Sequence, residues 1–415
     1  MVTTIHPFSS ALLEWFRQHG RQLPWRETKE PYAIWLSEVI LQQTRVSQGM
    51  DYWVRFMNRF PTVEVLAKAT EDEVLLLWQG LGYYSRARNL HHAAKQIVQL
   101  GHFPNTHETI STLKGVGTYT AAAIASIAFN IPVAVVDGNV YRVLARFFGI
   151  DTPINSTEGK KQFAALAQSL LPQHEPARYN EAIMDFGALQ CLPVKGETRK
   201  LNNKTGKANK CNRVSDLAPA FCNSCPLNSQ CVAFAQGLVR SLPVKTKLVS
   251  PKQRQMGYLY IRCGGEVAIR KRPAGDIWQG LWEPLLFQDE VIEDNKGEKK
   301  HSKRAKNSVE QFPSSQLLTY LDLLAKGQLD NPSTPSSSSK WDIRKATSPT
   351  ITGCFAFKHV LTHRIIKAQF VIMETAVKPS LPAEYIWVAE NSLNHYAIPR
   401  LFELFLEKLN EPIKT

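Results

Sequence analysis

The 415-residue chain is too long for one ordinary domain, and its 44% apolar content excludes wholesale disorder. A formal net charge of +14 and a pI of about 9.4 suit a polyanionic partner, although a merely basic protein would carry the same excess. Residues 1–10 carry no charged-then-apolar signal pattern, and the apolar run 119–136 is broken by Ser126, Asn130 and Pro132, so neither a leader nor a membrane span is expected.

In chain order, apolar residues at three- and four-residue spacing predict helices over 9–18, 32–60, 71–77, 87–100 and 157–170. Pro61, Gly80, Gly82, Gly101, Gly149 and Pro172 punctuate them, and only 132–136 reads as a strand. Residues 1–241 are therefore expected to be all-α. The stretch 242–255, rich in Lys, Pro and Ser without periodicity, reads as a linker. Beyond it the texture changes to short strands over 256–262, 266–271, 368–373 and 384–388, closed by a helix over 398–409. That is an α+β domain over 256–415, with insertions near 290–310 and 331–340 that read as solvated surface loops.

Five of the seven cysteines fall between Cys191 and Cys231, which points to metal ligation rather than a disulfide framework. Cys222-x-x-Cys225 can place two sulfurs on one centre, and Cys231 follows closely. A zinc ribbon and an iron–sulfur cubane both open this way. Upstream, Leu113-Lys114-Gly115-Val116-Gly117-Thr118-Tyr119 reads as a Gly-flanked turn between two helices. The second helix start offers unpaired N–H groups suited to a phosphate, although plain αα-hairpins share the pattern. Asp137-Gly138-Asn139 follows, where Asp137 can cap the next helix.

Hairpin, Asp137 and cysteine loop, in that order, resemble the helix–hairpin–helix glycosylase superfamily. Met184-Asp185-Phe186-Gly187-Ala188-Leu189-Gln190-Cys191, followed by Cys222, Cys225 and Cys231, resembles the cluster loop of endonuclease III and MutY glycosylases. Cys191 and Cys222 are separated here by a long stretch containing Cys211, which leaves Cys211 as an alternative to Cys191. Leu23-Pro24-Trp25-Arg26, the segment from Ser37 to Val46, and Gly80 to Arg88 resemble MutY segments. So does Arg272 to Trp282, which resembles the entry to the MutY C-terminal domain.

The resemblance implies a multidomain protein: an all-α helix–hairpin–helix glycosylase domain with an iron–sulfur loop, and a Nudix-like C-terminal domain. It implies a [4Fe–4S] cluster on Cys191, Cys222, Cys225 and Cys231. Bifunctional relatives carry a Lys where this chain has Tyr119, and a phenol cannot form their Schiff base, so a monofunctional hydrolase is implied. Position 114 is Lys where the family has Pro.

Glu38, set among Val39, Ile40 and Leu41, would be the general acid, and Asp137 the anion that stabilises the sugar cation. Tyr119 and Asn139 would orient both. The implied DNA contacts are Leu23, Trp25 and Arg26 near the base pocket and the opposite strand. Gln43 and Tyr83 would wedge the stack beside Thr44, with Gly115 and Gly117 on a phosphate. Leu361-Thr362-His363 resembles the loop that reads 8-oxoguanine, with Leu361-Thr362 in place of Phe-Ser. The Nudix catalytic box is missing after Gly280, so recognition rather than pyrophosphate hydrolysis is expected.

The implied partner is duplex DNA holding adenine opposite 8-oxoguanine or guanine. A monomer in the cytoplasm, on the nucleoid if bacterial, goes with it. The competing readings are an endonuclease III-like glycosylase–lyase acting on oxidised pyrimidines and a non-enzymatic iron–sulfur DNA-binding protein.

Overall fold

In a computed structural model, residues 5–194, 219–246, 251–292 and 350–411 are described. Cys211 lies outside them, as do nearly all of the three insertions expected from the sequence. The chain forms two compact units, Met1–Lys68 with Asn89–Leu248 and Ala69–Arg88 with Val249–Thr415.

The first unit is helical among its described residues. It contains α1 (Pro7–His19), α2 (Pro31–Leu41), α3 (Val46–Arg59) and α4 (Val63–Lys68). Helix α5 (Glu71–Trp78) belongs to the second unit, and α6 (Ser85–Leu100) leads back into the first. Then come α7 (His107–Ile110), α8 (Thr118–Phe129), α9 (Gly138–Phe148), α10 (Thr157–Leu170), α11 (Pro176–Leu189), α12 (Ala220–Asn223) and α13 (Val232–Ala235). Helix α8 is apolar all round and buried from Thr120 to Ile127, as a central helix must be. It packs on α2, which is buried from Tyr32 to Ile40, and on α11, which also contacts α1 and α9. Phe163 and Phe186 are fully or almost fully buried in this core, each worth roughly 2 kcal/mol of transfer free energy.

Two local expectations need correction. The helix expected over 32–60 breaks between α2 and α3, where Gln43 takes a φ of 57°. Residues 132–136 form no strand. Their backbone groups bond to side chains instead. Val135 N donates to Asn180 Oδ1 (3.1 Å), Asn180 Nδ2 donates to Val133 O (2.8 Å), and Ala134 N donates to Gln168 Oε1 (3.0 Å). Side-chain amides, one buried and one exposed, can thus satisfy an extended apolar segment that reads locally as a strand.

Among its described residues the second unit holds a seven-stranded mixed sheet. Its strands are β1 (Lys252–Cys263), β2 (Glu266–Lys271), β3 (Trp282–Glu283), β4 (Leu285–Ile292), β5 (Thr350–Val360), β6 (Arg364–Glu374) and β7 (Tyr385–Ala389). The path runs β3-β2-β1-β6-β5, with β4 on β1 and β7 on β2. Only β1 and β6 run parallel, and β1 is buried almost continuously, as a strand covered on both faces must be. Met256, Tyr258 and Tyr260 face helix α14 (Arg400–Leu409), while Leu259 and Ile261 pack with Leu285, Val371 and Met373.

Strand β1 begins at Lys252, inside the expected linker, and β3, β4 and β5 were not foreseen. Residues 242–246 are no free linker either: Arg146 Nε bonds Leu242 O at 3.1 Å, and Ile154 N bonds Val244 O at 3.0 Å. Residues 69–88 join the second unit through specific bonds that helical periodicity cannot announce. Lys271 Nζ meets Asp72 at 2.6 Å, Arg88 Nη1 donates to Gln279 O at 2.7 Å, and Ile398 N donates to Gln79 Oε1 at 3.1 Å. Among the described residues no helix is long and apolar enough to cross a membrane.

Candidate active site

One cavity of about 800 Å³ in the first unit gathers side chains from distant parts of the chain. Glu38 comes from the buried length of α2, Tyr119 from the first turn of α8, and Asp137 and Asn139 from the start of α9. Leu23, Trp25 and Arg26 form one wall, and the break after α2 brings in Gln43 and Thr44. Gly115 and Gly117 of the hairpin close the ring. Gly115 has a φ of 79°, and a Cβ there would meet Asn89 Cβ at 2.6 Å, so this turn accepts only glycine without rearrangement.

Glu38 is 8% exposed, and burial lifts its pKa to about 7, helped by Asp137 and Glu181. Hydrogen bonding with Tyr119 and the nearby Arg26 charge oppose that rise without reversing it. Burial and the neighbouring carboxylates push the Tyr119 phenol well above its usual range, so it stays a neutral donor. Its hydroxyl lies 3.1 Å from Met184 Sδ, a weak acceptor that leaves the O–H free to turn towards Glu38. Asp137 caps α9: Oδ1 accepts from Asn139 N and Val140 N, both at 2.8 Å, and Oδ2 accepts from Asn139 Nδ2 at 2.9 Å. Burial raises Asp137 too, against those bonds. Asp137 therefore caps the helix and also lines the cavity.

A line of hydrogen bonds leads away from Asp137. Asn139 Oδ1 accepts from Arg142 Nη2 (2.9 Å), and the same guanidinium donates to Gly187 O (2.7 Å) and Cys191 O (2.8 Å). Replacing Arg142 by Ala leaves these acceptors unfilled, at about 1–3 kcal/mol for each one that stays dry. The expected result is a lower Tm, and an Arg142→Ala protein that melts with the wild type would show that Asn139 holds Asp137 unaided.

Cys191, Cys222, Cys225 and Cys231 line one small cavity beside Arg146, Phe221 and Phe234. Among the described residues no set of three His, Cys, Asp or Glu converges on a single-ion site. Four thiols around one apolar hollow are a donor set that fits a thiolate-ligated metal group. Burial and the neighbouring sulfurs push Cys222 and Cys225 up to about 11 and raise Cys231 as well. Without a positive centre these thiols are held neutral, and the residues fit a group whose charge would make them thiolates. Arg146 Nη1 lies 3.4 Å from Cys191 Sγ, inside the same hollow.

Residues 36–173 match the family model described as HhH-GPD superfamily base excision DNA repair protein, and 257–408 match a NUDIX domain model. The adenine DNA glycosylase of Buchnera aphidicola subsp. Baizongia pistaciae is 35% identical over 69% of this chain and 76% of its own length. The chain belongs to the adenine DNA glycosylase family. The Homo sapiens member is 36% identical over 68% of this chain, which spans 58% of that longer protein. A solved thermostable thymine-DNA glycosylase aligns with 55% of this chain and 95% of its own, at 28% identity and a TM-score of 0.46.

In this glycosylase the remaining expected residues lie in the second unit. Tyr83, with a φ of 48° and 46% of its surface exposed, hydrogen-bonds Thr362 through its hydroxyl. Leu361, Thr362 and His363 form the turn between β5 and β6, with Leu361 half-buried against the core and the other two exposed. Neither Tyr83 nor this turn lines the cavity described above. Sequence reading missed Arg21, Glu181 and Met184 in the cavity lining and Asp185 behind Arg21 and Arg26. The signal for those on α11 was the spacing of Glu181, Met184, Asp185 and Ala188 along one helix face, and Arg21 had none.

Proposed function

We propose that the cavity excises adenine paired with 8-oxoguanine, or with guanine, by acid-assisted hydrolysis without strand cleavage. The observation that carries this reading is the pairing of a carboxyl titrating near neutrality, Glu38, with the backbone-bonded carboxylate Asp137 in one cavity. Two carboxyls driven into different roles by their surroundings are what glycosidic cleavage through an oxocarbenium-like state requires. Adenine must leave the stack to reach them. Glu38 then gives its proton to a ring nitrogen as the bond to the sugar lengthens. Asp137, held by the start of α9, faces the cation, and Tyr119 and Asn139 keep both carboxyls in place. No amine stands at position 119, so water rather than lysine takes up the sugar carbon.

The active form carries the proton on Glu38. Base release should therefore fall roughly tenfold per unit above about 7, and fall again at acid pH where Asp137 takes up a proton. A single-turnover rate still constant at pH 9 would remove Glu38 from the acid role.

Tyr83 bonded to Thr362 supports a second surface on which the wedge and the reading loop act together. Thr362 supplies the hydroxyl and His363 the imidazole for an altered base edge, while Leu361 replaces the aromatic ring expected there. The four cysteines would hold a [4Fe–4S] cluster, whose part is to stiffen the loop around Cys222–Cys231. Iron content separates the ligand sets: loss in Cys191→Ser with retention in Cys211→Ser is the expected pair. The reverse result would hand the fourth position to Cys211. A DNA substrate and cysteines that must stay reduced go with a cytoplasmic monomer, on the nucleoid if the source is bacterial.

The decisive assay is adenine release from a duplex carrying adenine opposite 8-oxoguanine, with alkali omitted from a parallel sample. Strand breakage only after alkali is expected. Breakage without alkali, trapped by borohydride, would favour the glycosylase–lyase reading.

A further inference from the structure

Behind the cavity wall sits a carboxylate that the reaction scheme leaves unused. The Asp185 side chain is wholly buried on α11 and takes hydrogen bonds from two arginines. Arg21 donates through its backbone N (2.9 Å), through Nε (3.0 Å) and through Nη2. Arg26 donates through Nη1 and Nη2, both at 2.9 Å, one to each carboxylate oxygen. Arg26 also pairs with Glu181 at 3.3 Å and donates to Arg21 O at 3.0 Å. Arg21, Arg26 and Glu181 line the cavity, and Asp185 does not.

We propose that Asp185 is a positioning residue: it clamps Arg21 and Arg26 into the cavity wall and offsets one of their two charges beside Glu38. This rests on Glu38 being the general acid.

The charges around Glu38 decide the sign. Tyr119 faces it from α8, Asp137 from the start of α9, Glu181 from α11 and Arg26 from the wall. Arg21 and Arg45 complete the charged lining. Lys29 and Arg178 act on Glu181 from outside. Arg26 favours the ionised form of Glu38, and Glu181 and Asp137 favour the neutral one. Burial pushes Asp185 up, but the hydrogen bonds from Arg26 and Arg21 outweigh it and hold Asp185 ionised. One of the two guanidinium charges is thereby offset at its source, and the other meets Glu181. Loss of the Asp185 charge would expose Glu38 to uncompensated arginine and drain its proton at a lower pH.

The test is the pH dependence of single-turnover adenine release by the full chain, read beside the melting temperature. Asp185→Asn keeps the shape and removes the charge. Its basic limb should move to lower pH by about one unit, the size of one unit charge added near a poorly solvated carboxyl. Asp185→Glu restores the charge and should restore the wild-type limb, even where its rate is lower. Arg21→Gln removes a positive charge at a partly exposed position and should move the limb the opposite way. If Asp185→Asn does not fold, Arg21→Gln carries the test alone. A limb unmoved in whichever of these charge-changing variants folds, whatever happens to Tm, overturns the proposal and leaves Asp185 a purely structural ion-pair partner. Glu38→Gln, run alongside, separates the two readings. Inactive Glu38→Gln with unmoved limbs sinks the Asp185 role alone, whereas active Glu38→Gln removes the acid on which both rest.

Discussion

Glu38→Gln should lose adenine release by about 10³-fold or more, because it deletes the carboxyl that burial in the cavity lifts to about 7. Glutamine fills the same volume, and the apolar surroundings on α2 ask for no charge there. Stability gives an independent check. The folded pKa of Glu38 lies above its unfolded value of about 4.3, so ionisation destabilises the fold as pH rises from about 4.3 through 7. That penalty is complete above about 7 and vanishes below both values. Glu38→Gln should therefore melt higher than the wild type at pH 8 and alongside it at pH 4. A variant that keeps a normal single-turnover rate, measured with saturating enzyme, would show that adenine leaves without a proton from Glu38.

Asp137→Asn should be as inactive as it is stable. Asparagine is a good helix cap, and its side-chain oxygen can still accept from Asn139 N and Val140 N. Burial raises the Asp137 pKa, so the anion is held at a cost that the neutral amide does not incur. Tm is expected to stay level or to rise by about 1–3 °C. What disappears is the negative charge facing the sugar cation. Preorganised charges of this kind are worth about 10²–10³ in rate, and that loss should appear in the single-turnover step with DNA affinity retained. Near-wild-type base release would assign Asp137 to capping alone. Low activity with a collapsed Tm would mean that the cap, rather than the charge, was lost.

The geometry of the candidate site was legible in the sequence wherever a backbone rule demanded a residue type. Gly115 must be glycine at a φ of 79°, Asp137 must accept bonds at a helix start, and Tyr119 is no amine. Glu38 stood out because its neighbours along the chain are apolar, and local apolarity foretold the burial that lifts its pKa. The cysteines Cys222, Cys225 and Cys231 were readable for the same reason, since their spacing fixes the sulfurs near one another.

What sequence could not decide lies in pairings between distant segments. Arg26 and Asp185 are 159 positions apart, and nothing local in either marks them as partners. Residues 132–136 resemble a strand until Asn180 and Gln168 supply the bonds a neighbouring strand would have given. Residues 69–88 have helical texture like the rest of the first half, yet their polar ends and Asp72 bind residues of the second unit. Local patterning sets which face of a segment is apolar and where its backbone turns. Which other segment covers that face, and which charge answers a buried charge, is settled only by the closed fold, where desolvation makes an unanswered partner costly.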